Sequence, residues 1–179
     1  MLDTPGYFDF VGEVEEAVSA ADAAVIVVSG KAGVEVGTEK AWELCDKYNL
    51  PRMVYVTEMD MDDASFRNVV EELTARYGKV IAPHFQPIRE NEQLVGYVNV
   101  IKNAARRYTG IGQREECEIP DYCLPNLKIY RDTLLETVAE TSEDLMERYF
   151  AGEEFSVEEI RSALRVNVMD GSIVPVCMG

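Results

Sequence analysis

Two short apolar segments, each followed by a helical pattern, constrain the fold of this chain more than any other feature. Residues 23–29, "AAVIVVS", are apolar and β-branched without alternation, which is typical of a strand buried on both faces of a parallel sheet. Residues 50–57, "LPRMVYVT", repeat this pattern, and the helical segment "GVEVGTEKAWELCDKYN" lies between the two. This spacing predicts a βαβ unit. The expected fold class is therefore α/β with a parallel sheet.

The pattern changes after a second predicted helix. The segment "MDDASFRNVVEELTARYG" has Asp62 or Asp63 as its expected N-cap and Gly78 as its expected C-cap. Residues 79–120 then hold short strands and turns, with "RENEQ" as the expected hairpin connection. Residues 124–150 are predicted to form one long helix. An α+β unit is therefore expected to follow the βαβ unit.

The end of the chain returns to the first pattern. The segment "SVEEIRSALRVNV" begins with a capping box, Ser156 to Glu159, and predicts a helix. The segment "GSIVPVCMG" predicts a final strand, and Pro175 inside it favours a position at the edge of a sheet. We therefore expect the α+β unit to be inserted into the βαβ domain.

Charge and composition limit the classes of partner. The chain has 179 residues and a net charge of −16, so direct binding to nucleic acid or to an anionic membrane is disfavoured and a basic protein is the expected partner. The longest apolar run, "AAVIVV", is far too short to span a membrane, and the acidic start of the chain does not resemble a signal peptide. The four cysteines form no C-x-x-C pair, and we interpret them as reduced thiols of a cytosolic protein.

Three stretches carry the candidate functional residues. In Asp3-Thr4-Pro5-Gly6 the carboxylate could hold Mg²⁺ through water and the glycine N–H could approach a phosphate, although ordinary turns use the same residues. The stretch "VTEMD" follows a buried strand, where open α/β sheets bind ligands, and its last carboxylate could accept two hydrogen bonds from a guanine edge. An ordinary helix N-cap is the alternative there. The third stretch, "VEVGTEKAW", follows the first strand.

In this order the three stretches resemble the translational GTPases, and among them most closely the elongation factor G family. The resemblance extends over the whole chain, through "DTPGYFDFVGEVE", "ADAAVIVVSGKAGVEVGTEKAWELCDKYNLPRMVYVTEMD", "TSEDLMERYF" and "GEEFSVEEIRSALR". It implies part of a P-loop NTPase G domain that carries an inserted α+β subdomain, called G′. The implied division is a partial G domain at 1–78, the G′ insert at 79–168 and the last strand of the G domain at 169–179.

The resemblance implies a cytoplasmic, ribosome-associated GTPase of protein biosynthesis, with GTP and Mg²⁺ as cofactors and translocation as its function. Asp3 would hold Mg²⁺ through water, and Gly6 would donate its N–H to the γ-phosphate. Tyr7 occupies the catalytic position at which the family has a histidine that positions the attacking water. This departure predicts slow hydrolysis.

The guanine-contacting stretch also departs from the family, which has Asn-Lys-x-Asp. Here Thr57 can keep a hydroxyl contact and Asp60 keeps the contact to the base. Glu58 reverses the charge of the family's lysine, which predicts altered nucleotide affinity or specificity. The resemblance therefore implies a paralogue of elongation factor G.

The resemblance further implies that the family's first strand, phosphate loop and first switch precede Asp3 in a longer parent. We therefore expect this chain to be a fragment that is inactive and binds neither GTP nor Mg²⁺ usefully on its own. Without that first strand, one edge of strand 23–29 would be exposed. A homodimer through this edge is the expected consequence.

Four glutamates form a candidate partner surface. At steps of four, three and four they would share one face of the predicted long helix: Glu136, Glu140, Glu143 and Glu147. A solvated helix face is the simplest interpretation, whereas the resemblance implies contact with the basic carboxy-terminal domain of the ribosomal stalk protein. Two alternatives to a working GTPase stay open: a stalk-docking interaction module that has lost hydrolysis, and a ribosomal protection factor of the tetracycline-resistance type.

Overall fold

The structure, a computed structural model, describes Thr4 and residues 11–179. Its helices and strands in chain order are α1 (Val11–Ser19), β1 (Ala24–Ser29), α2 (Val36–Lys47), β2 (Arg52–Thr57), α3 (Phe66–Tyr77), β3 (Ile81–Pro83), β4 (Phe85–Glu90), β5 (Gln93–Asn99), β6 (Ala104–Gly110), β7 (Gln113–Cys117), α4 (Leu124–Ala139), α5 (Glu143–Phe150), α6 (Val157–Met169) and β8 (Val174–Met178).

Four strands form a parallel sheet in the order β1-β2-β8-β3. Alternate residues of its first two strands, Ile26, Val28, Val54 and Val56, are buried in the core. Helix α2 packs on β1, and α3 and α4 pack on β3. The prediction of an α/β fold with a parallel sheet is confirmed.

Pro175 lies in an internal strand, so the prediction that it marks a sheet edge is wrong. Strand β8 runs between β2 and β3. Its paired segment with β2 starts only at Val176, opposite Val54, so the N–H that proline lacks falls outside this segment. On the other side Pro175 lies opposite Ala82. A proline is therefore tolerated where the neighbouring ladder has not yet begun.

The other four strands form an antiparallel sheet in the order β4-β5-β6-β7, which we call the second sheet. The turn between β4 and β5 consists of Asn91 and Glu92, both in the left-handed region at φ 47° and 67°. This confirms the hairpin predicted at "RENEQ". Strand pairing shifts register between Ile88 and Arg89, and the extra residue of this bulge is Val95 in β5.

One residue, His84, connects the two sheets. Its N–H donates to the carbonyl of Val176 in the parallel sheet at 2.9 Å, and its own carbonyl accepts from the N–H of Val100 beyond β5 at 3.0 Å. Because β3 pairs with β8, the change from parallel to antiparallel pairing falls at His84. The predicted boundary between the G domain and the G′ insert, at residues 78–79, lies shortly before this change and stays a prediction.

Helix α3 begins later than expected. Its N-cap is Ser65, whose hydroxyl accepts from the N–H of Asn68 at 3.2 Å, so the prediction of Asp62 or Asp63 is wrong. Asp63 adopts a left-handed conformation at φ 66° in the loop before the helix. The predicted C-cap, Gly78, is confirmed.

The long helix predicted at 124–150 is two helices. Helix α4 ends at Ala139, and α5 begins at Glu143 behind an N-cap, Ser142, whose hydroxyl accepts from the N–H of Leu145 at 3.2 Å. The hydroxyl of Thr141 donates to the carbonyl of Val138 at 2.6 Å. Two adjacent hydroxyl side chains thus bind backbone groups locally and interrupt the helix. The capping box predicted at Ser156 and Glu159 is confirmed.

Both sheets and their helices share one hydrophobic core. Its fully buried side chains include Phe66, Leu73, Leu134 and Ile160, which come from α3, α4 and α6. Within Thr4 and 11–179, no helix combines the length and the apolar character needed to cross a membrane.

Candidate functional site

The carboxyl ends of β1 and β2 lie side by side at one edge of the parallel sheet. Ser29, the last residue of β1, is paired in register with Thr57, the last residue of β2. Because the strands are parallel, the loops that follow them leave the sheet at the same edge, which is where ligands of open α/β sheets bind. The stretch Thr57–Asp60 therefore starts at the edge that the sequence predicted.

Gly30 allows the two loops to pack closely. Its N–H donates to the carbonyl of Thr57 at 2.8 Å, and its carbonyl accepts from the N–H of Ser65 at 2.8 Å. A Cβ atom at this position would lie 2.8 Å from the sulfur of Met59 and 2.9 Å from the carbonyl oxygen of Thr57. Only glycine fits without displacing the loop after β2. The side chain of Met59 is fully buried beneath that loop.

Glu58 is bound to the loop that follows β1. It adopts a left-handed conformation at φ 58°, which is uncommon outside glycine, and its carboxylate accepts a hydrogen bond from the hydroxyl of Ser29. The same hydroxyl accepts from the N–H groups of Lys31 and Ala32 at 3.2 and 3.0 Å. A negative charge is therefore held between the two loops at the edge of the sheet.

Asp60 presents a free carboxylate. Its residue is exposed, and its side chain makes no hydrogen bond or ion pair within the part of the chain that the structure describes. Thr57, by contrast, is half-buried, and its hydroxyl donates to the carbonyl of Val28 at 3.4 Å. Of the three predicted base-contacting residues, Asp60 is thus the one whose acceptor atoms are available to a ligand with two adjacent donors.

Arg89 of the second sheet holds the loop on which Asp60 lies. Its guanidinium donates to the carbonyl oxygens of Met59 at 3.1 Å, Ala64 at 2.9 Å and Met61 at 3.2 Å, and also to that of Glu92. We call these four oxygens the Arg89 carbonyl cluster. Sequence reasoning missed this residue, because no local pattern marks an arginine that has three of its four acceptors 25 to 30 residues earlier.

Three predicted site residues, Asp3, Gly6 and Tyr7, lie outside the residues that the structure describes. Over Thr4 and 11–179, the side chains of His, Cys, Asp and Glu form no group of three or more that could hold a metal ion. The sequence of 179 residues also contains no G-x-x-x-x-G-K-[ST] phosphate loop. Of the residues predicted to contact the nucleotide, the structure therefore describes only Thr57, Glu58 and Asp60.

The four glutamates predicted to form a partner surface lie on two helices instead of one. Glu136 is in the last turn of α4, where it accepts from the ammonium of Lys79 at 3.0 Å. Glu140 is the C-cap of α4, and Glu143 and Glu147 are in α5. These three are exposed, and their carboxylates form no hydrogen bond or ion pair with described residues. The predicted acidic face is therefore interrupted at residues 141–142.

All four cysteines carry free thiols. Burial raises the pKa of Cys177 to about 11, and it also raises the pKa values of Cys45 and Cys123. Thiols of this kind stay protonated at neutral pH and are poor nucleophiles. These three cysteines therefore contribute no reactive group to the site.

Comparison with known proteins identifies the family. The family described as the elongation factor Tu GTP binding domain matches residues 1–179. The chain is also similar to a protein from Thermus thermophilus with a known crystal structure, at 39% identity and a TM-score of 0.86. The match covers 99% of this chain and 26% of that one, so the chain spans about a quarter of the length of this relative. The chain therefore belongs to the family of the elongation factor Tu GTP binding domain.

Proposed function

We propose that this chain is the base-recognising part of the G domain of a ribosome-associated, cytoplasmic translational GTPase that resembles elongation factor G. The observation that carries the proposal is the free carboxylate of Asp60 at the carboxyl edge of the parallel sheet, in a chain that matches a GTP-binding family over its full length. The activity of the whole protein would be GTP hydrolysis coupled to translocation.

Asp60 would select guanine through two hydrogen bonds. Its carboxylate is acceptor-only when ionised, and guanine presents two adjacent donors, the ring N1–H and the exocyclic 2-amino group. Adenine lacks both donors at these positions, so its binding would leave the carboxylate unsatisfied. A site built to bind such donors discriminates strongly against an analogue without them. Thr57 would support the base from the end of β2.

Glu58 would weaken the binding of nucleotide phosphates. It carries a negative charge where the resembling family has a lysine, and Ser29 holds its carboxylate at the same edge of the sheet as Asp60. The carboxylate of Glu58 would repel the negatively charged phosphates of a nucleotide bound at this edge, although solvent and salt reduce the repulsion. We therefore expect Glu58→Lys to strengthen nucleotide binding without changing the preference for guanine.

The phosphate and metal side of the site is proposed from the resemblance alone. Asp3 would hold Mg²⁺ through water, Gly6 would donate its N–H to the γ-phosphate, and Tyr7 would stand at the position that orients the attacking water. Bound GTP would supply the phosphoanhydride bond, and Mg²⁺ would neutralise charge that develops on the phosphates. Since the 179 residues contain no phosphate loop, we expect only weak binding of GTP by this chain.

An interaction module that docks on the ribosomal stalk is the second candidate function. The carboxylates of Glu140, Glu143 and Glu147 are exposed and make no ion pair with described residues, which favours a basic partner. Glu136 lies one turn before Glu140, at the end of α4. The basic carboxy-terminal domain of the stalk protein is the proposed partner. This function would require no hydrolysis.

A homodimer through β1 is also proposed. Among described strands β1 pairs only with β2, so no described strand covers its other edge. Val25 and Val27 are 59% and 61% exposed on this strand. Unpaired main-chain groups beside exposed valines are typical of an edge that pairs with another chain.

The base-recognition proposal is tested by titrating the ¹⁵N-labelled chain with GMP and AMP and following the amide shifts of residues 57–60. We expect GMP, but not AMP, to shift these amides, with a dissociation constant of about 1 mM or weaker because the phosphate loop is missing. Asp60→Asn should abolish the preference. Asp62→Asn, which changes a neighbouring exposed acid of the same loop, is the control. Equal responses to GMP and AMP would contradict base recognition.

A further inference from the structure

We propose that Arg89 is a positioning residue for base recognition, which fixes the loop carrying Asp60 by binding the Arg89 carbonyl cluster and so makes guanine discrimination depend on the second sheet. The inference rests on the proposed function in one respect, namely that Asp60 reads a base. Arg89 touches no ligand in this scheme and acts only through the main chain of residues 59–64.

Arg89 contacts the residues on both sides of Asp60 in the sequence. The carbonyls of Met59 and Met61, on either side of Asp60, both accept from the guanidinium at 3.1 and 3.2 Å, and that of Ala64 accepts at 2.9 Å. A guanidinium presents its donors in a fixed planar arrangement, so these acceptors cannot move independently of one another. Hydrogen bonds from a charged donor are also stronger than those from a neutral one.

The loop needs such support because its own bonds are few. Within it the N–H of Met61 donates to Glu58 at 3.1 Å, and the N–H of Ala64 donates to Met61 at 3.3 Å. Glu58 and Asp63 both adopt left-handed conformations, at φ 58° and 66°, which side chains of this kind adopt at a cost. A loop with two such residues holds one conformation only when its surroundings determine it.

The main chain of Arg89 is held in place beside an irregularity of the second sheet. Arg89 stays paired with Leu94, and the extra residue of the bulge is Val95 in β5. The hydroxyl of Tyr122 satisfies the main chain of Arg89: it accepts from the N–H at 3.0 Å and donates to the carbonyl at 2.9 Å. Tyr122 lies directly before α4.

These contacts connect the start of α4 to the loop that carries Asp60. Tyr122 lies just before the first residue of α4, and Arg89 adjoins the loop. Among the described residues Arg89 has no carboxylate partner, so its charge is satisfied by the carbonyl cluster. Displacement of the second sheet would therefore be transmitted to the loop as a loss of hydrogen bonds.

The test compares four variants of the full 179-residue chain. Arg89→Met removes all donors, Arg89→Lys restores some of them, and Tyr122→Phe removes the support of the Arg89 main chain. Arg107→Met is the matched control, since Arg107 belongs to the same sheet but pairs with Glu90 at an exposed site. Amide hydrogen exchange reports on the loop, and the ratio of GMP to AMP affinity, measured by NMR titration, reports on base recognition.

In Arg89→Met we expect exchange of the Met61 and Ala64 amides to accelerate by about tenfold or more, while amides of β2 stay protected. The preference for GMP should fall by about tenfold, since small positional errors in a site have large effects. Arg89→Lys should restore part of the amide protection and part of the preference for GMP. Tyr122→Phe should give values between those of Arg89→Lys and wild type. Arg107→Met should match wild type in both measurements. If Arg89→Met does not fold, Arg89→Lys and Tyr122→Phe carry the test.

Unchanged exchange in Arg89→Met would show that Arg89 does not hold the loop and would overturn the inference. Faster exchange of the loop amides with an unchanged ratio of GMP to AMP affinity would overturn the role of Arg89 in base recognition. If the wild-type chain itself showed no preference for GMP, the proposed function would fail and the base-recognition role with it, whereas the exchange measurement would still decide whether Arg89 holds the loop.

Discussion

Trp42 of α2 and Tyr77 of α3 stack face to face, with ring centroids 3.7 Å apart and planes inclined by 9°. The guanidinium of Arg52 lies 4.7 Å from the centre of the Trp42 ring and donates to the Trp42 carbonyl at 3.1 Å. The stack joins the two helices that follow the strands bearing the site. The packing of α2 against α3 and the position of Arg52 at the start of β2 therefore depend on the same aromatic pair.

Trp42→Ala is expected to lower the free energy of unfolding by about 3–5 kcal/mol, because it removes a buried ring and leaves a cavity beside Tyr77. Trp42→Phe should cost less, since it keeps an aromatic ring in the stack. Urea denaturation followed by far-UV circular dichroism measures both, because the chain has one tryptophan and fluorescence would be lost. Phe150→Ala, at a side chain that is 80% exposed, should change stability by less than about 0.5 kcal/mol. Equal effects at the two positions would contradict the prediction.

Acid is expected to destabilise the fold through His84. Burial lowers the pKa of His84 from 6.5 to about 4, and its Nε2 atom has no hydrogen-bond partner among described residues. The folded state thus disfavours protonation of His84. The contribution of the neutral side chain to the free energy of unfolding is therefore complete above pH 6.5, and it is lost as the pH falls from 6.5 to 4. At about 1.4 kcal/mol per pH unit, the loss amounts to about 3 kcal/mol.

The measurement compares wild type with His84→Gln by urea denaturation at pH 7 and pH 4. Since the chain has one histidine, the titration of its acidic residues is common to both proteins and cancels in the difference. We expect wild type to lose about 3 kcal/mol relative to the variant between these two pH values. A difference that does not vary with pH would refute the assignment.

The exposed glutamates should bind the carboxy-terminal domain of the ribosomal stalk protein weakly and in a salt-dependent manner. Each exposed ion pair contributes about 0–1 kcal/mol, so replacing Glu140, Glu143 and Glu147 by Gln should abolish the NMR shifts seen at low salt. Glu136→Gln alone should have the smallest effect, because Lys79 already binds that carboxylate.

A triple variant that neutralises three exposed acids near α1 serves as the control: Glu13→Gln, Glu16→Gln and Asp22→Asn. It changes the net charge by the same amount at a distant surface and should bind like wild type. If both triple variants lose binding equally, the interaction reflects net charge alone, and α4 and α5 form only a solvated surface.

The edge of β1 that no described strand covers should make the chain dimerise as its concentration rises. Light scattering at increasing concentration is expected to give a mass approaching twice that of the monomer, and Val27→Lys should keep the chain monomeric by placing a charge on the edge strand. Val36→Lys is the control, since Val36 is 56% exposed but lies on α2. A monomer at every concentration would rule out this dimer.

Sequence reasoning predicted the elements that depend on contiguous residues. The strand at Ala24–Ser29 follows from its β-branched run, the turn at Asn91 and Glu92 from its polar residues, and the cap at Ser156 from a local capping box. In each case the interaction that fixes the structure lies within a few residues, or all side chains of the segment except the last are apolar. Such signals can be recognised in the sequence without knowledge of the fold.

The features that sequence reasoning missed depend on competition between local structures or on contacts between residues that are far apart in the sequence. The helical pattern continues through Thr141 and Ser142, and only the capping of Leu145 by Ser142 decides that the helix ends there. The contact between Ser29 and Glu58 and the position of Pro175 require the order of strands in the sheet, which the sequence does not supply. Helix α1 was not predicted, and none of its residues is buried.

The single-residue connection at His84 has a mechanical consequence. Both of its main-chain groups are hydrogen-bonded, the N–H to Val176 in the parallel sheet and the carbonyl to Val100 after β5, so its backbone has little freedom to rotate. A force applied to the second sheet would reach β8, an internal strand, without first extending a slack linker. Pulling on the second sheet should therefore apply force directly to the centre of the parallel sheet, and the two sheets should unfold in one step.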